Sequence, residues 1–294
     1  MVRNKTLSAR LGESAVIALM LVISLISLAP VVHTVSVSFS NTAAAAGGLV
    51  KFWPVGFNIE SYRKIIEEPH FINSFFVSVK RVIIGGGVNF LLTVLMAYPL
   101  SRSSKEFPLR NVYMWFMLFT MLFSGGVIPL YLTVKSLGLF NSIWALVLPG
   151  AVPVFNVVLL MNFFRNMPKE LTDAAYIDGA GPWYMLLQIF LPLSLPSLAT
   201  VTLFSVVGHW NAFFDGMIFM RSMEYYPLQT YIQQLVVQLN ISEIDSSQQE
   251  MLAKISDKTL NSAKIVVSMV PILVVYPFLQ KYFIHGIMLG SVKE

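Results

Sequence analysis

The sequence contains no cysteine, and long stretches of it contain no charged residue. The lack of cysteine excludes disulfides and thiolate metal sites. Asp, Glu, Lys and Arg make up 12% of the 294 residues, about half the share found in soluble proteins, whereas 56% of the residues are hydrophobic. The mean hydropathy of +0.69 is too high for a soluble domain of this length. The composition therefore indicates an integral membrane protein.

Six stretches without a charged residue are candidates for membrane-spanning helices. A helix needs about 20 apolar residues to cross the hydrocarbon layer, and five of the stretches reach that length. The sixth, between Lys264 and Lys281, is shorter, but flanking lysines can extend their ammonium groups to the interface. We therefore predict an all-α integral membrane protein with transmembrane helices near residues 15–37, 82–100, 112–132, 142–163, 194–220 and 264–283.

The N-terminal stretch also has features of a secretory signal peptide. It follows three basic residues and precedes a small-residue segment, Ala43–Ala46, that resembles a cleavage region. Its apolar run is longer than such peptides carry, which favours an uncleaved first helix. This interpretation predicts a cytoplasmic tail of residues 1–14 and one transmembrane permease domain of residues 15–294.

Basic residues near the helix ends favour a cytoplasmic location for both termini. Cytoplasmic loops carry an excess of Lys and Arg, counted mainly in short loops. The N-terminal tail and the 101–110 loop together hold Arg3, Lys5, Arg10, Arg102, Lys105 and Arg110.

Glycine and proline inside the predicted helices indicate close contacts and breaks. Gly85-Gly86-Gly87 would weaken an isolated helix, but in a membrane small residues permit close helix contact. Pro129, Pro149 and Pro153 are tolerated where neighbouring protein satisfies the freed backbone groups, which is typical of helices that line a path.

The polar stretch between the predicted fourth and fifth helices, residues 165–192, has the features of a two-helix loop. Asn166 can cap a first helix, and Pro168 fits its first turn. Gly179 suits the left-handed position just beyond that helix, and Pro182 can open a second one. On the first helix, Leu171, Ala174, Ala175 and Asp178 recur at i, i+3, i+4 and i+7, which predicts a short helix with one small-residue face.

This loop resembles the EAA motif of bacterial ABC importer permeases. Asp173-Ala174-Ala175, then Gly179, then Ile189-Phe190-Leu191-Pro192 match that motif in every spacing, with Asp173 in place of the usual Glu. In that family the loop forms a coupling helix seated in a cleft of a cytoplasmic ATPase subunit. The resemblance implies ATPase-docking roles for Glu170, Asp173, Ala174, Ala175, Asp178 and Gly179. The alternative interpretation is a hairpin that only stiffens the turn between helices 4 and 5.

Other segments resemble a narrower group, the carbohydrate-importer permeases of the maltose type and their LplC- and YtcP-like branch. They are residues 53–62 (beginning Trp53-Pro54), Trp210-Asn211, residues 226–231 and residues 275–283. The resemblance implies the type I ABC importer permease (MetI-like) fold in a bacterial cytoplasmic membrane. It further implies a heterodimer with a second permease, two ATPase subunits that bind ATP and Mg, and an extracytoplasmic solute-binding protein. The branch suggests a polysaccharide-derived oligosaccharide as cargo, including uronate-containing fragments such as those of alginate or pectin.

Polar residues within the predicted helices are candidates for contact with substrate, because such groups face protein or water rather than lipid. These residues are Asn89, Asn156, Asn162, His209, Trp210, Asn211 and Asp215. Aromatic rings and planar amides suit sugars, so we place Asn156, Trp210, Asn211 and Asp215 on the substrate path. The alternative is that they form hydrogen bonds between helices and pack in the core. Lys80 and Arg81 are predicted at the outer interface.

The sequence predicts no catalytic residue and no metal site. It contains no Gly-x4-Gly-Lys-Ser/Thr loop, so ATP has to act through a partner. One rival hypothesis is a secondary transporter driven by an ion gradient, in which Asp215 would carry a proton. That class favours several buried carboxylates and an inverted repeat, which the sequence lacks. Another is an ABC importer permease for a solute other than a sugar.

Overall fold

The computed structural model describes residues 7–238 and 258–291, and the regular elements in these ranges are helices. The α-helices are α1 (Leu7–Ser38), α2 (Thr42–Ala46), α3 (Glu60–Glu67), α4 (Pro69–Ser101), α5 (Arg110–Leu122), α6 (Val127–Ser136), α7 (Ile143–Val147), α8 (Val154–Arg165), α9 (Lys169–Ile177), α10 (Pro182–Tyr184), α11 (Leu191–Leu193), α12 (Leu195–Asn211), α13 (Phe214–Phe219), α14 (Leu228–Gln238) and α15 (Lys258–Ser291). A π-helical segment, Met185–Phe190, joins α10 to α11.

Three helices are individually long and apolar enough to cross a membrane, namely α1, α4 and α15. Three bent pairs meet the same test when each pair is counted as one span: α5 with α6, α7 with α8, and the segment Pro182–Leu193 with α12. The total of six agrees with the sequence prediction. The first helix begins at Leu7, inside the predicted tail of residues 1–14, whose first six residues lie outside the described ranges.

Two spans that we predicted as continuous helices are broken, and the prediction was wrong there. The third bends by 110° between α5 and α6, where Gly126 has φ +88°, a conformation that glycine adopts at little cost. The fifth stops at Asn211 and resumes at Phe214 as α13. The bend of 48° between α7 and α8 lies between the two prolines, Pro149 and Pro153, that had indicated it.

Contacts between Cα atoms divide the chain into two compact units, Met1–Pro69 with Gln234–Met269, and His70–Gln233 with Val270–Glu294. In the first unit, the loop after α1 folds back on that helix. Ser36 Oγ donates to the Phe52 carbonyl at 2.8 Å. In the same unit α3 is held to the start of α15 by a Lys264–Glu68 ion pair at 2.6 Å.

The second unit contains the main core, which packs around residues 175–190 of the predicted loop and the helices α4, α8 and α12. Its fully buried side chains include Leu160, Met185 and Phe190. The helix α14, Leu228–Gln238, follows the fifth span. The predicted close contact between helices at the glycines of α4 is confirmed at Gly85 and Gly86, which are buried and face α12.

Candidate functional site

The predicted docking loop folds as a short helix, α9, with a sharply defined end. Gly179 has φ +77°, and its amide donates to the Tyr176 carbonyl at 3.0 Å. The next amide, that of Ala180, donates to the Ala175 carbonyl at 2.9 Å. This pair of bonds is the Schellman arrangement, in which the residue after the helix cap is left-handed. The prediction that Gly179 is left-handed just beyond the first helix is therefore confirmed. The predicted start of a second helix at Pro182 is confirmed as well.

The predicted cap at Asn166 is wrong. Asn166 ends α8, and its amide donates to the Asn162 carbonyl at 3.2 Å. The residue preceding α9 is Pro168, which has φ −55° and ψ 129°. A residue before proline is driven away from helical conformation, so the helix is interrupted at Met167, the chain is extended at Pro168, and α9 starts only afterwards.

The predicted face of α9 lines a groove of about 590 Å³ that continues along the π-helical segment. Ala174, Asp178 and Gly179 are exposed on it, whereas Ala175 is buried and joins the core. Glu170 and Asp173 are exposed on α9 outside the groove lining. The groove is lined by Leu171, Ala174, Ala175, Asp178, Gly179, Ala180, Gly181, Tyr184, Gln188 and Ile189.

The loop after α4 contacts α9 through a pair of side chains that the sequence analysis missed. The Tyr176 hydroxyl donates to Glu106 Oε1 at 3.3 Å. The other carboxylate oxygen of Glu106 accepts from the Ser103 amide at 2.8 Å and from its hydroxyl at 2.7 Å. Partial burial raises the pKa of the Glu106 carboxyl, but the Ser103 hydrogen bonds, the Arg102 charge and the Tyr176 hydroxyl outweigh burial and hold it below its ordinary value.

Three arginines contact the C-terminal end of α4. The Leu100 carbonyl accepts from Arg110 Nε at 3.0 Å and from Arg165 Nη2 at 3.4 Å. The Arg102 guanidinium lies over the rings of Tyr98 and Phe190, 4.4 and 4.3 Å from their centroids. A cation over an aromatic face is attracted by the ring quadrupole. These contacts connect α4 with the π-helical segment in the second half of the predicted docking loop.

A buried polar cluster lies on the other side of the bundle core, around Arg81 on α4. Its guanidinium pairs with the Asp215 carboxylate through Nη1, at 3.0 Å, and through Nη2. It also donates to the carbonyls of Ala212 and Leu146, at 3.3 and 3.4 Å, and to His209 Nδ1 at 3.5 Å. All five N–H donors of this arginine are thereby used. The predicted location of Arg81 at the outer interface is wrong.

His209 links this cluster to Asn89. In the orientation that satisfies its neighbours, the Asn89 amide donates to the Gly85 carbonyl at 3.1 Å and accepts from His209 Nε2 at 3.3 Å. The histidine tautomer with its proton on Nε2 satisfies both this contact and that from Arg81. The imidazole ring lies directly against Gly85, where a Cβ atom would come within 2.5 Å of Nε2.

The structure brings two of the predicted path residues into one concavity with this cluster. Asn156 and Asp215, with Arg81, line a concavity of about 350 Å³. Asn156 is buried and donates to the Val201 carbonyl at 3.2 Å and to Ser205 Oγ at 3.1 Å, so it ties α8 to α12. Asn211 is exposed at the end of α12.

The fourth predicted path residue, Trp210, does not line this concavity. It is buried and packs edge-on against Phe75, with ring centroids 5.8 Å apart. It lines a separate concavity of about 170 Å³ whose other lining residues are apolar.

One signal in the sequence could have predicted that Arg81 lies inside the bundle. An arginine inside a long apolar helix is expected to pair within the bundle, and Asp215 is a carboxylate in a predicted span. Glu106 and Tyr176 carry no comparable signal, because both belong to polar loops where charged and hydroxyl groups are normally solvated.

Comparisons with known proteins agree with this architecture. Residues 89–240 match the family model described as binding-protein-dependent transport system inner membrane component. The chain is 38% identical to the polygalacturonan/rhamnogalacturonan transport system permease protein YtcP of Bacillus subtilis, over 97% of this chain and 99% of that protein. It is 37% identical to protein LplC of the same organism, over 91% of this chain and 90% of that protein.

A solved structure is similar over almost the whole chain. It is a chain of a bacterial ABC transporter involved in the import of the acidic polysaccharide alginate. The TM-score is 0.85 at 30% identity, covering 95% of this chain and 99% of that one. Both the sequence resemblance to the LplC- and YtcP-like branch and the predicted permease fold are confirmed.

Proposed function

This chain belongs to the family of binding-protein-dependent transport system inner membrane components, and we propose that it couples oligosaccharide import to ATP hydrolysis through α9. It is a multi-pass membrane permease of an ABC importer, a transport subunit rather than an enzyme. The groove on α9 supports the coupling role more than any other single feature. The groove leaves Leu171, Ala174 and Asp178 of the predicted face exposed, and the helix has a defined end at Gly179.

The mechanism follows from how α9 is attached. Ala175 is buried in the core, and Tyr176 is bonded to Glu106 in the loop after α4. A force applied to the exposed face of α9 therefore acts on α8, on α4 and on the segment that leads into α12. Movement of these spans would alternately expose a central path to the two sides of the membrane, as in alternating access.

The partners are part of the proposal. Two cytoplasmic ATPase subunits bind ATP and Mg, and one of them receives α9. A second, homologous permease completes the translocation path as a heterodimer, and an extracytoplasmic solute-binding protein delivers the cargo, in keeping with the family description. Both termini face the cytoplasm, as the basic residues of the N-terminal tail and the 101–110 loop favour.

The proposed cargo is an oligosaccharide released from a polysaccharide, with uronate-containing fragments foremost. The names of the similar YtcP protein and of the similar alginate transporter both refer to acidic polysaccharides. This chain has the polar, partly aromatic interior that a sugar path requires, with the Arg81–Asp215 cluster in it.

The coupling proposal is tested by a matched pair of glycine variants. Gly179 and Gly138 are both left-handed, with φ +77° and +67°, and a Cβ at either would meet open space. Alanine at either position carries the same backbone strain, about 1 kcal/mol, but only Gly179 lies at the groove. Co-expressed with the ATPase, Gly179→Ala should lose ATPase co-purification and uptake, whereas Gly138→Ala should retain both.

The stronger variants Gly179→Pro and Asp173→Lys should lose both as well. Intact co-purification and uptake in all three variants of the α9 segment would refute the docking role.

A further inference from the structure

The fifth span contains a break that is supported by side chains from two other elements. The helix α12 ends at Asn211, Ala212 is extended with φ −71° and ψ 127°, and α13 begins at Phe214. The Ala212 carbonyl accepts from Arg81, and the Phe213 carbonyl accepts from Thr230 Oγ1 at 2.8 Å. Irregular backbone at membrane depth is tolerated only where protein or a water-filled cavity satisfies it. These bonds make the break a stable part of the fold.

The break presents a characteristic set of side chains. A concavity of about 420 Å³ is lined by Gly208, Asn211, Ala212, Phe213, Phe214 and Asp215. The side chains of Asn211, Phe213 and Phe214 are exposed there, the two phenylalanines by 39% and 55%. One planar amide and two aromatic rings thus face the same space.

The position of this concavity argues against lipid as its occupant. The 17 residues of α12 extend about 25 Å, less than the roughly 30 Å thickness of the hydrocarbon layer, so a span that enters from the docking-loop side is still within the layer at the break. An amide exposed to lipid there is costly. Asn211, which makes no hydrogen bond to another side chain among the described residues, therefore faces a water-filled path or a polar partner.

The chemistry of the lining fits a sugar ring and does not fit a carboxylate. Aromatic rings pack against the C–H face of a pyranose, and an amide can both donate to and accept from hydroxyl groups. The charged side chain in the lining is Asp215, an anion, and the Arg81 beside it has no N–H left to offer.

We propose that Asn211, Phe213 and Phe214 form a sugar-ring subsite that binds the neutral ring face and hydroxyl groups of the cargo. Any carboxylate of the cargo points away from this subsite, toward other parts of the path. This inference rests on the proposed function, because it requires that the cargo be an oligosaccharide.

The experiment uses the complete importer in proteoliposomes, with the solute-binding protein and radiolabelled trigalacturonate. Phe214→Leu and Phe213→Leu keep the apolar volume but remove the aromatic face, and Asn211→Ala removes the amide. Each should lower the number of sugars imported per ATP hydrolysed about fivefold, because sugar that is not held escapes before the path reopens inward. ATP hydrolysis stimulated by the loaded binding protein is measured in the same vesicles and supplies the denominator of this ratio, and Phe214→Tyr should restore the ratio. Phe119→Leu, at an exposed phenylalanine of α5, is the matched control and should leave the ratio at the wild-type value.

The methyl ester of trigalacturonate tests the carboxylate argument. The Phe214→Leu defect should be equally large for the ester and for the acid, and a defect confined to the acid would overturn the neutral-face assignment. The subsite would be overturned by an unchanged ratio of sugars imported per ATP in the Phe213→Leu/Phe214→Leu double variant. It would also be overturned if the complex with this variant lost the second permease on purification. If the wild-type complex retains its ATPase but imports none of a panel of neutral and acidic oligosaccharides, the proposed cargo fails, and the subsite with it.

Discussion

Arg81 and Asp215 lie 134 positions apart in the chain and pair through both oxygens of the carboxylate. The arginine is 3% exposed and the aspartate 27% exposed. The pair ties α4 to the start of α13, and the same guanidinium binds the carbonyl at the break in the fifth span. This ion pair thus supports the segment that presents Asn211 and the two phenylalanines.

Neutralising the carboxylate should destabilise the protein. Asp215→Asn leaves the buried Arg81 charge without its counterion, which should cost about 3 kcal/mol. Thermal unfolding in detergent should show this as a lowered midpoint. The double variant Arg81→Met/Asp215→Leu should unfold at a higher temperature than Asp215→Asn, because it leaves no uncompensated charge.

An exposed ion pair provides the control for this measurement. Arg63 and Glu67 are 75% and 66% exposed, so Glu67→Gln should change stability by less than about 1 kcal/mol. Equal midpoints for Asp215→Asn and the wild type would show that the buried pair does not stabilise the fold.

The contact between Gly85 and His209 should not tolerate a methyl group. A Cβ at Gly85 would lie 2.5 Å from Nε2 of the ring, whereas a Cβ at Gly87 would meet nothing within 4 Å. Gly85→Ala should therefore destabilise the protein by about 1–3 kcal/mol through overpacking. Gly87→Ala should be neutral or slightly stabilising. Similar unfolding midpoints for the two variants would contradict the close approach of α4 and α12.

Substitution at Asn156 separates its two possible roles. Its amide bonds the Val201 carbonyl and the Ser205 hydroxyl, so Asn156→Ala should lower stability by about 1–3 kcal/mol. A double-mutant cycle with Ser205→Ala should show a coupling energy, because the two side chains share a bond. Normal stability and additivity, together with a loss of uptake, would instead assign Asn156 to the substrate.

The Glu106 carboxyl should make part of the stability of the loop after α4 depend on pH. Its pKa in the folded protein is depressed, so the ionised form contributes stability that is present above the unfolded pKa and lost as pH falls through the folded pKa. Comparing wild type with Ser103→Ala should show a stability difference that is constant near neutral pH and shrinks below the ordinary carboxyl pKa. Glu106→Gln should lower stability at neutral pH by about 0.5 kcal/mol, since the group is largely exposed. A Ser103→Ala difference that grows on acidification would contradict this sign.

Much of the candidate site could be predicted from local sequence. The end of α9 follows from Gly179, because few other residues adopt a left-handed backbone cheaply, and the start of the next helix follows from Pro182. The start of α9 was predicted wrongly, because two local rules compete there. Asn166 is a good cap, but the proline two residues later disfavours helix before it.

The path residues were less predictable. The sequence identifies Asn156, Trp210, Asn211 and Asp215 as unusual within apolar helices, but not where their side chains point. Trp210 and Asn211 are neighbours, yet one packs against Phe75 and the other is exposed at the break. Successive residues of a helix point about 100° apart, and the faces that are covered depend on which other helices lie alongside.

The sequence by itself determined the membrane location, the candidate spans and the two-helix form of the loop at residues 165–192. Each of these depends on properties that are local in the chain: runs of apolar residues as long as the hydrocarbon is thick, and a motif with fixed spacing. Only the tertiary structure decided where the fifth span breaks and how the break is stabilised. That outcome depends on Arg81 and Thr230, which lie far from Ala212 and Phe213 in sequence. A backbone carbonyl within the membrane needs a donor, and only the packed bundle decides which side chain supplies it.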